Sequence, residues 1–133
     1  MTHPNYKHAR AFFEYMPRGE LPDELLTPDM TGWTTTQGTM GKRAYQDAVK
    51  WLGVLFAEPP AFTIQSLTAE EDRGVAEATS VGTLVNGEEY RNSYIFVFRI
   101  RDDRIASIAE HYNALIVQEK LIPAMRAAMA KGA

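Results

Sequence analysis

The segment Tyr90 to Asn113, YRNSYIFVFRIRDDRIASIAEHYN, constrains the fold more than any other part of this chain. It predicts a β-hairpin that turns at Asp102-Asp103, and its first strand is apolar on both faces. One register carries Tyr90, Asn92, Tyr94, Phe96 and Phe98; the other carries Arg91, Ser93, Ile95, Val97 and Arg99. Side chains alternate across a strand, so Asn92 points the same way as Tyr94 and Phe96. An amide on an aromatic face needs a partner, whether a polar neighbour, a water or a ligand. An apolar sheet face with a few polar groups is the usual lining of a small-molecule pocket.

The rest of the chain predicts what surrounds this hairpin. Helical spacing runs over Asn5–Met16, a short helix over Leu21–Thr27, and the strongest helix over Lys42–Phe56, with Tyr45, Val49, Leu52 and Phe56 on one stripe. Trp33–Gln37 reads as a short strand, and Gly38 and Gly41 as the brackets of a turn. Alternation then predicts strands over Ala61–Glu71 and Gly74–Val85, with Asn86-Gly87 as a hairpin turn. Leu115–Met129 is helical in pattern, with Pro123 as a kink or break. Helices first and a meander of long strands second specify an α+β fold. No linker or repeat divides residues 1–133, which fit one domain. Helices on one sheet face leave Ile95, Val97 and Ile105 on the other, where a homodimer through the outer sheet face would cover them.

Composition excludes several function classes. A formal net charge of -3, with no run of Lys or Arg, argues against nucleic acid as a partner. The absence of cysteine removes disulfides, thiolate catalysis and Cys-ligated metals. His3, His8 and His111 are too scattered to suggest a metal site, and no role is assigned to them. No nucleotide-binding or nucleophile-elbow motif occurs, so no cofactor is expected. No segment is apolar enough to span a membrane, and a cytoplasmic location is the expectation.

Strand alternation groups Glu77 with Thr79 in one strand, and Glu110 with Tyr112 in the last. If these share the hollow with Asn92, Tyr94 and Phe96, two carboxyls meet in an aromatic pocket. Burial and mutual repulsion would then raise their pKa values and split them into an acid and a base. Glu110 and Glu77 are therefore the candidate catalytic pair. Asn92, Tyr94, Tyr112, Thr79, Trp33, Tyr15 and Phe96 are the candidate substrate contacts. The competing reading pairs Glu77 with Arg91 or Arg99 and Glu110 with Lys42 or Arg43, uses Asn92 to stitch the sheet, and plugs the hollow with Trp33, Tyr15 and Phe96.

The order of residues resembles the SnoaL-like branch of the NTF2-like superfamily. The resemblance lies in Gly19-Glu20-Leu21, Leu26-Thr27-Pro28-Asp29 before Trp33, Gly41 before the long helix, Asn86-Gly87 with Tyr90, Asn92 and Tyr94, and Arg104-Ile105 leading to Glu110-His111-Tyr112-Asn113. It implies a cone-shaped α+β barrel, a curved, mostly antiparallel sheet wrapped by N-terminal helices around a pocket, usually as a homodimer. It also implies a small apolar molecule as partner. Relatives include ketosteroid isomerases, polyketide cyclases and limonene epoxide hydrolases. The catalytic positions of the first fall near Phe12, Thr34 and Phe96 here, so that chemistry is absent. Those of the epoxide hydrolases fall at Glu77, Thr79 and Glu110, where only the last acid matches in type.

Overall fold

A computed structural model describes residues 3–132. Among them, six strands form one mixed sheet: β1 (Leu26–Thr34), β2 (Gly38–Gly41), β3 (Ala61–Glu70), β4 (Arg73–Thr83), β5 (Glu89–Arg101) and β6 (Arg104–Tyr112). The spatial order is β2-β1-β6-β5-β4-β3. Every neighbouring pair is antiparallel except β1 and β6, which run parallel. Helices α1 (Tyr6–Tyr15) and α2 (Lys42–Leu55) lie against one face of the sheet. A C-terminal helical stretch follows β6, made of α3 (Ala114–Ile116), a wider π-type turn (Val117–Leu121) and α4 (Ile122–Ala130).

The inner face holds the core because it carries the large side chains of β5. Phe96 and Phe98 are fully buried, and Phe12 of α1 packs on both at centroid distances of 5.4 and 5.3 Å. Phe13 meets Phe96 edge-on at 5.0 Å. Opposite these rings, β4 presents Gly74, Ala76 and Ala78, which leave room for α1 to approach. Pairs of this kind, large against small, fill the space between sheet and helix at native density.

Several local expectations change. Leu21–Thr27 forms only a single turn, at Asp23–Leu25, before extending into β1. Two prolines, Pro22 and Pro28, leave no room for a longer helix, and a proline removes a backbone donor. Pro28 instead falls where the β1–β6 register shifts between Leu26 and Thr31, an irregularity that tolerates the missing N–H. The strand expected at Trp33–Gln37 is the end of a longer one, and the turn lies at residues 35–37 rather than at Gly38–Gly41, which pairs as β2. Pro123 does not break the C-terminal helix. It sits in the first turn of α4, directly after the π turn that widens the backbone ladder there.

The decisive correction concerns strand faces. The loop between β4 and β5 closes so that Thr83 faces Glu89, which aligns Glu77 with Ile95 and Thr79 with Ser93. Glu77 and Thr79 therefore lie on the outer face, away from Tyr94 and Phe96, and Trp33 joins them because it pairs with Ala109, which pairs with Val97. A shift of one residue in that loop would have reversed every side chain.

Candidate functional site

A cavity of about 470 Å³ opens between the inner sheet face, α2 and the C-terminal helical stretch. Its apolar wall includes Met16, Met40, Val49, Trp51, Leu52, Phe62, Leu121 and Met125. Its polar groups come from strands, from the turn at residues 35–37 (Thr36, Gln37) and from α2 (Tyr45, Asp47). Thr34 at the end of β1, Tyr90 and Tyr94 on β5, and Glu110 and Tyr112 on β6 all face inward. The register explains the convergence, because Phe96 faces Glu110, Thr34 faces Glu110 across the parallel pair, and Tyr94 faces Tyr112.

Glu110 is the chemical centre of this arrangement. Its Oε2 accepts a hydrogen bond from the Tyr45 hydroxyl at 3.2 Å. Tyr45 comes from α2, 65 residues away in sequence, and reaches β6 only because residue 32 has no side chain. A Cβ on Gly32 would lie 2.2 Å from the Tyr45 ring. Among the described residues no cation pairs with Glu110, and no buried polar atom lacks a partner, so its second oxygen opens to the cavity. Burial pushes the Glu110 carboxyl up to about 7, against the opposing pull of the Tyr45 hydrogen bond. Burial also raises Tyr45 well above an ordinary phenol, and the Glu110 charge adds to it. Tyr94 is raised for the same first reason.

The other phenols are held by protein partners. The Tyr94 hydroxyl lies 2.8 Å from Ser80 Oγ, and the Tyr112 hydroxyl 2.6 Å from Thr36 Oγ1. Asn92 does not reach the cavity. Its Nδ2 donates to the Tyr90 hydroxyl at 2.9 Å and to the Asn113 carbonyl at 3.3 Å, while its Oδ1 accepts from the backbone N–H of Ser93 and Asn113. With both ends occupied, Asn92 ties β5 to the residue that caps the C-terminal helical stretch, where Asn113 accepts from Leu115 N–H. It positions a wall of the cavity instead of touching its contents.

Of the nine residues singled out by sequence, Glu110, Tyr94 and Tyr112 meet in the cavity. Phe96 is buried core beneath Tyr94, with the rings stacked at 5.3 Å. Tyr15 turns away and lies under the Arg18 guanidinium, because the helical stripe that faces the cavity ends at Met16 instead. Trp33 packs against His111 on the outer face, with ring centroids 4.7 Å apart and the planes tilted by 44°. Glu77 accepts a hydrogen bond from Ser66 at 2.5 Å and is exposed there, and Thr79 pairs with Thr63 and Ser93 on the same face. No acid pair forms. His8 takes a structural place, with Nε2 3.2 Å from Asp103 at the β5–β6 turn. Sequence reading missed Tyr45, Trp51, Thr36 and the C-terminal wall. The available signal was the run Gly74, Ala76, Ala78, Ser80, Gly82, a stripe of small residues that marks the face where large groups approach. Among the described residues, no group of three His, Asp or Glu side chains converges as metal ligands would.

Comparison with known proteins agrees with this geometry. A family model described as the SnoaL-like domain matches residues 9–108. Among curated proteins none is similar enough to match. Solved structures of the same fold include a Bacillus subtilis protein provisionally described as an isomerase, 23% identical over 89% of this chain and 92% of its own, with a TM-score of 0.75. An NTF2-like protein from Anabaena variabilis is 24% identical over 85% and 94% of the two chains, at 0.71. IdmH from Streptomyces antibioticus, provisionally described as a polyketide cyclase, is 17% identical over 90% and 99%, at 0.74. Likeness at these identities establishes an NTF2-like fold, and the family match establishes more: the chain belongs to the SnoaL-like domain family.

Proposed function

We propose that this protein binds a small, largely apolar molecule bearing oxygen and converts it by general acid–base chemistry, as an isomerase, cyclase, dehydratase or hydrolase. One observation carries the reading: the Glu110 carboxyl faces a largely apolar cavity, raised by burial to about 7, with one phenol holding it in place. Such a group exists in both protonation states under ordinary conditions, so it can take a proton from a substrate C–H or O–H and return it elsewhere. Tyr45 steadies the ionised form by donating to it. Tyr94 and Tyr112 bound the space in which the substrate would lie. Glu77 has no part in this scheme. The descriptions of two solved relatives as an isomerase and a polyketide cyclase fit the same class of chemistry.

The test is turnover of a panel of hydroxylated terpenoids, steroids and aromatic ketones by the native protein and by Glu110→Gln. A positioned acid or base contributes on the order of 10²–10⁴ in rate, and the variant should lose that while keeping its fold. Unchanged turnover in the folded variant would remove Glu110 from the reaction.

A second reading, a binding module without catalysis, is favoured because the other acid lining the cavity, Asp47, is exposed and paired with Lys50, which leaves Glu110 without a catalytic partner. Ligands that raise the melting temperature of the native protein but are recovered unchanged would support it. A second copy covering the outer sheet face belongs to either reading. Ile95 is 42% exposed there, beside Val75, Val97 and Trp33. Light scattering tests it: a dimeric mass that falls to a monomer in Ile95→Lys supports the interface, and a monomeric native protein excludes it.

A further inference from the structure

The cavity carries negative charge without a counterion. Its charged lining residues are Glu110 at the floor and Asp47 on α2 at the rim. Asp47 has a cation outside the cavity, Lys50 Nζ at 3.6 Å. Glu110 has none. The titratable groups facing Glu110 are the phenols of Tyr45 on α2, Tyr90 and Tyr94 on β5, and Tyr112 on β6; no Lys, Arg or His lines the cavity among the described residues.

The phenols offer rings more freely than hydroxyls. Tyr94 and Tyr112 have their hydroxyls engaged with Ser80 and Thr36, Tyr90 accepts from Asn92, and Tyr45 donates to Glu110. The rings of Tyr94 and Tyr112 stand edge to face at 6.3 Å beside Phe62 and Trp51. Ring faces attract cations and repel anions. A carboxylate or phosphate ligand would meet an acid, electron-rich rings and no basic side chain. A neutral ligand would leave Glu110 to take up a proton, whereas a cation would pair with its ionised form.

We infer that the cavity takes an apolar amine, whose ammonium group pairs with the Glu110 carboxylate while its hydrocarbon skeleton lies among the aromatic rings. This inference rests on the reading that the cavity binds a small, largely apolar molecule, and it adds a basic nitrogen to the oxygen function which that reading gives the molecule. The pairing couples binding to the ionisation of Glu110. Affinity for the amine increases as pH rises through the titration of Glu110, until the amine itself loses its proton at about the pKa of a lysine, roughly 10.

Three probes on one hydrocarbon cage test it: 1-aminoadamantane, 1-adamantanol and adamantane-1-carboxylate, each titrated calorimetrically into the native protein and Glu110→Gln. The amine should bind about tenfold or more tightly than the alcohol, as expected for a nearby opposite charge, and the carboxylate not at all. Amine affinity should strengthen from about pH 6 to about pH 8 in the native protein and stay flat in the variant. The variant, its fold checked by its melting temperature, should lose the preference for the amine over the alcohol. Equal binding of amine and alcohol, or a preference that survives in the variant, overturns the amine inference alone. If none of the three binds, the small-molecule reading beneath it falls as well.

Discussion

Glu110 and Glu77 are the same residue type on neighbouring parts of one sheet, and the sheet separates their chemistry. Glu110 faces inward, where burial lifts its carboxyl to about 7 and a tyrosine holds one oxygen. Glu77 faces outward and shares a hydrogen bond with Ser66 in the open. The inner face is built of Phe96, Phe98, Tyr94 and Tyr112 against small residues of β4; the outer face carries Thr63, Thr79, Ser93, Ile95 and His111 in paired rows. Face decides environment, and the inward environment is what lifts the Glu110 carboxyl.

Substitutions on the two faces sharpen this contrast. The largest effect belongs to the inner core. Phe96→Ala removes a fully buried ring that touches Phe12, Phe13, Tyr94 and Phe98, and should destabilise the protein by about 3–5 kcal/mol in urea unfolding. Next comes Glu110→Gln. A carboxyl whose folded pKa is raised favours folding only while it is protonated; that stability is fully present below the unfolded value of about 4.5 and is lost as pH rises through about 7. The native protein should therefore lose at most about 3 kcal/mol across that window, less to the extent that the cavity is hydrated, and the Gln variant should not. Unfolding curves at both ends of the window measure the difference. Gly32→Ala should cost about 1–3 kcal/mol by forcing the Tyr45 ring aside, and should push the Glu110 titration still higher by removing its one hydrogen bond. Glu77→Gln should change stability by less than about 0.5 kcal/mol, since it touches only an exposed serine. An outer-face change as large as the inner ones would break the contrast between the faces.

Much of this was legible from residues alone. The β5–β6 hairpin, the Asn86-Gly87 turn and the long α2 helix follow from local period and turn chemistry, and the parity of Tyr94, Phe96, Glu110 and Tyr112 within their own strands was readable. Whether Glu77 shares their face was not, because it depends on the register set by the loop from Leu84 to Glu88, and a single residue decides it. The strands around Pro28 and Gly38 were illegible for a different reason. Their residues have little β preference, and β1 exists through its parallel pairing with β6, far away in sequence. Tyr45 looked like one member of a core stripe. Its bond to Glu110 needs both the helix position and the missing side chain at Gly32, a juxtaposition that only the folded chain brings together.

The most direct measurement is the titration of the Glu110 side-chain carboxyl by carbon NMR on labelled protein, assigned by the signal missing in Glu110→Gln. A midpoint near 7 is the predicted result. A midpoint close to about 4.5, the value of a freely hydrated glutamate, would show that the cavity does not perturb this acid and would leave its proposed role without a physical basis.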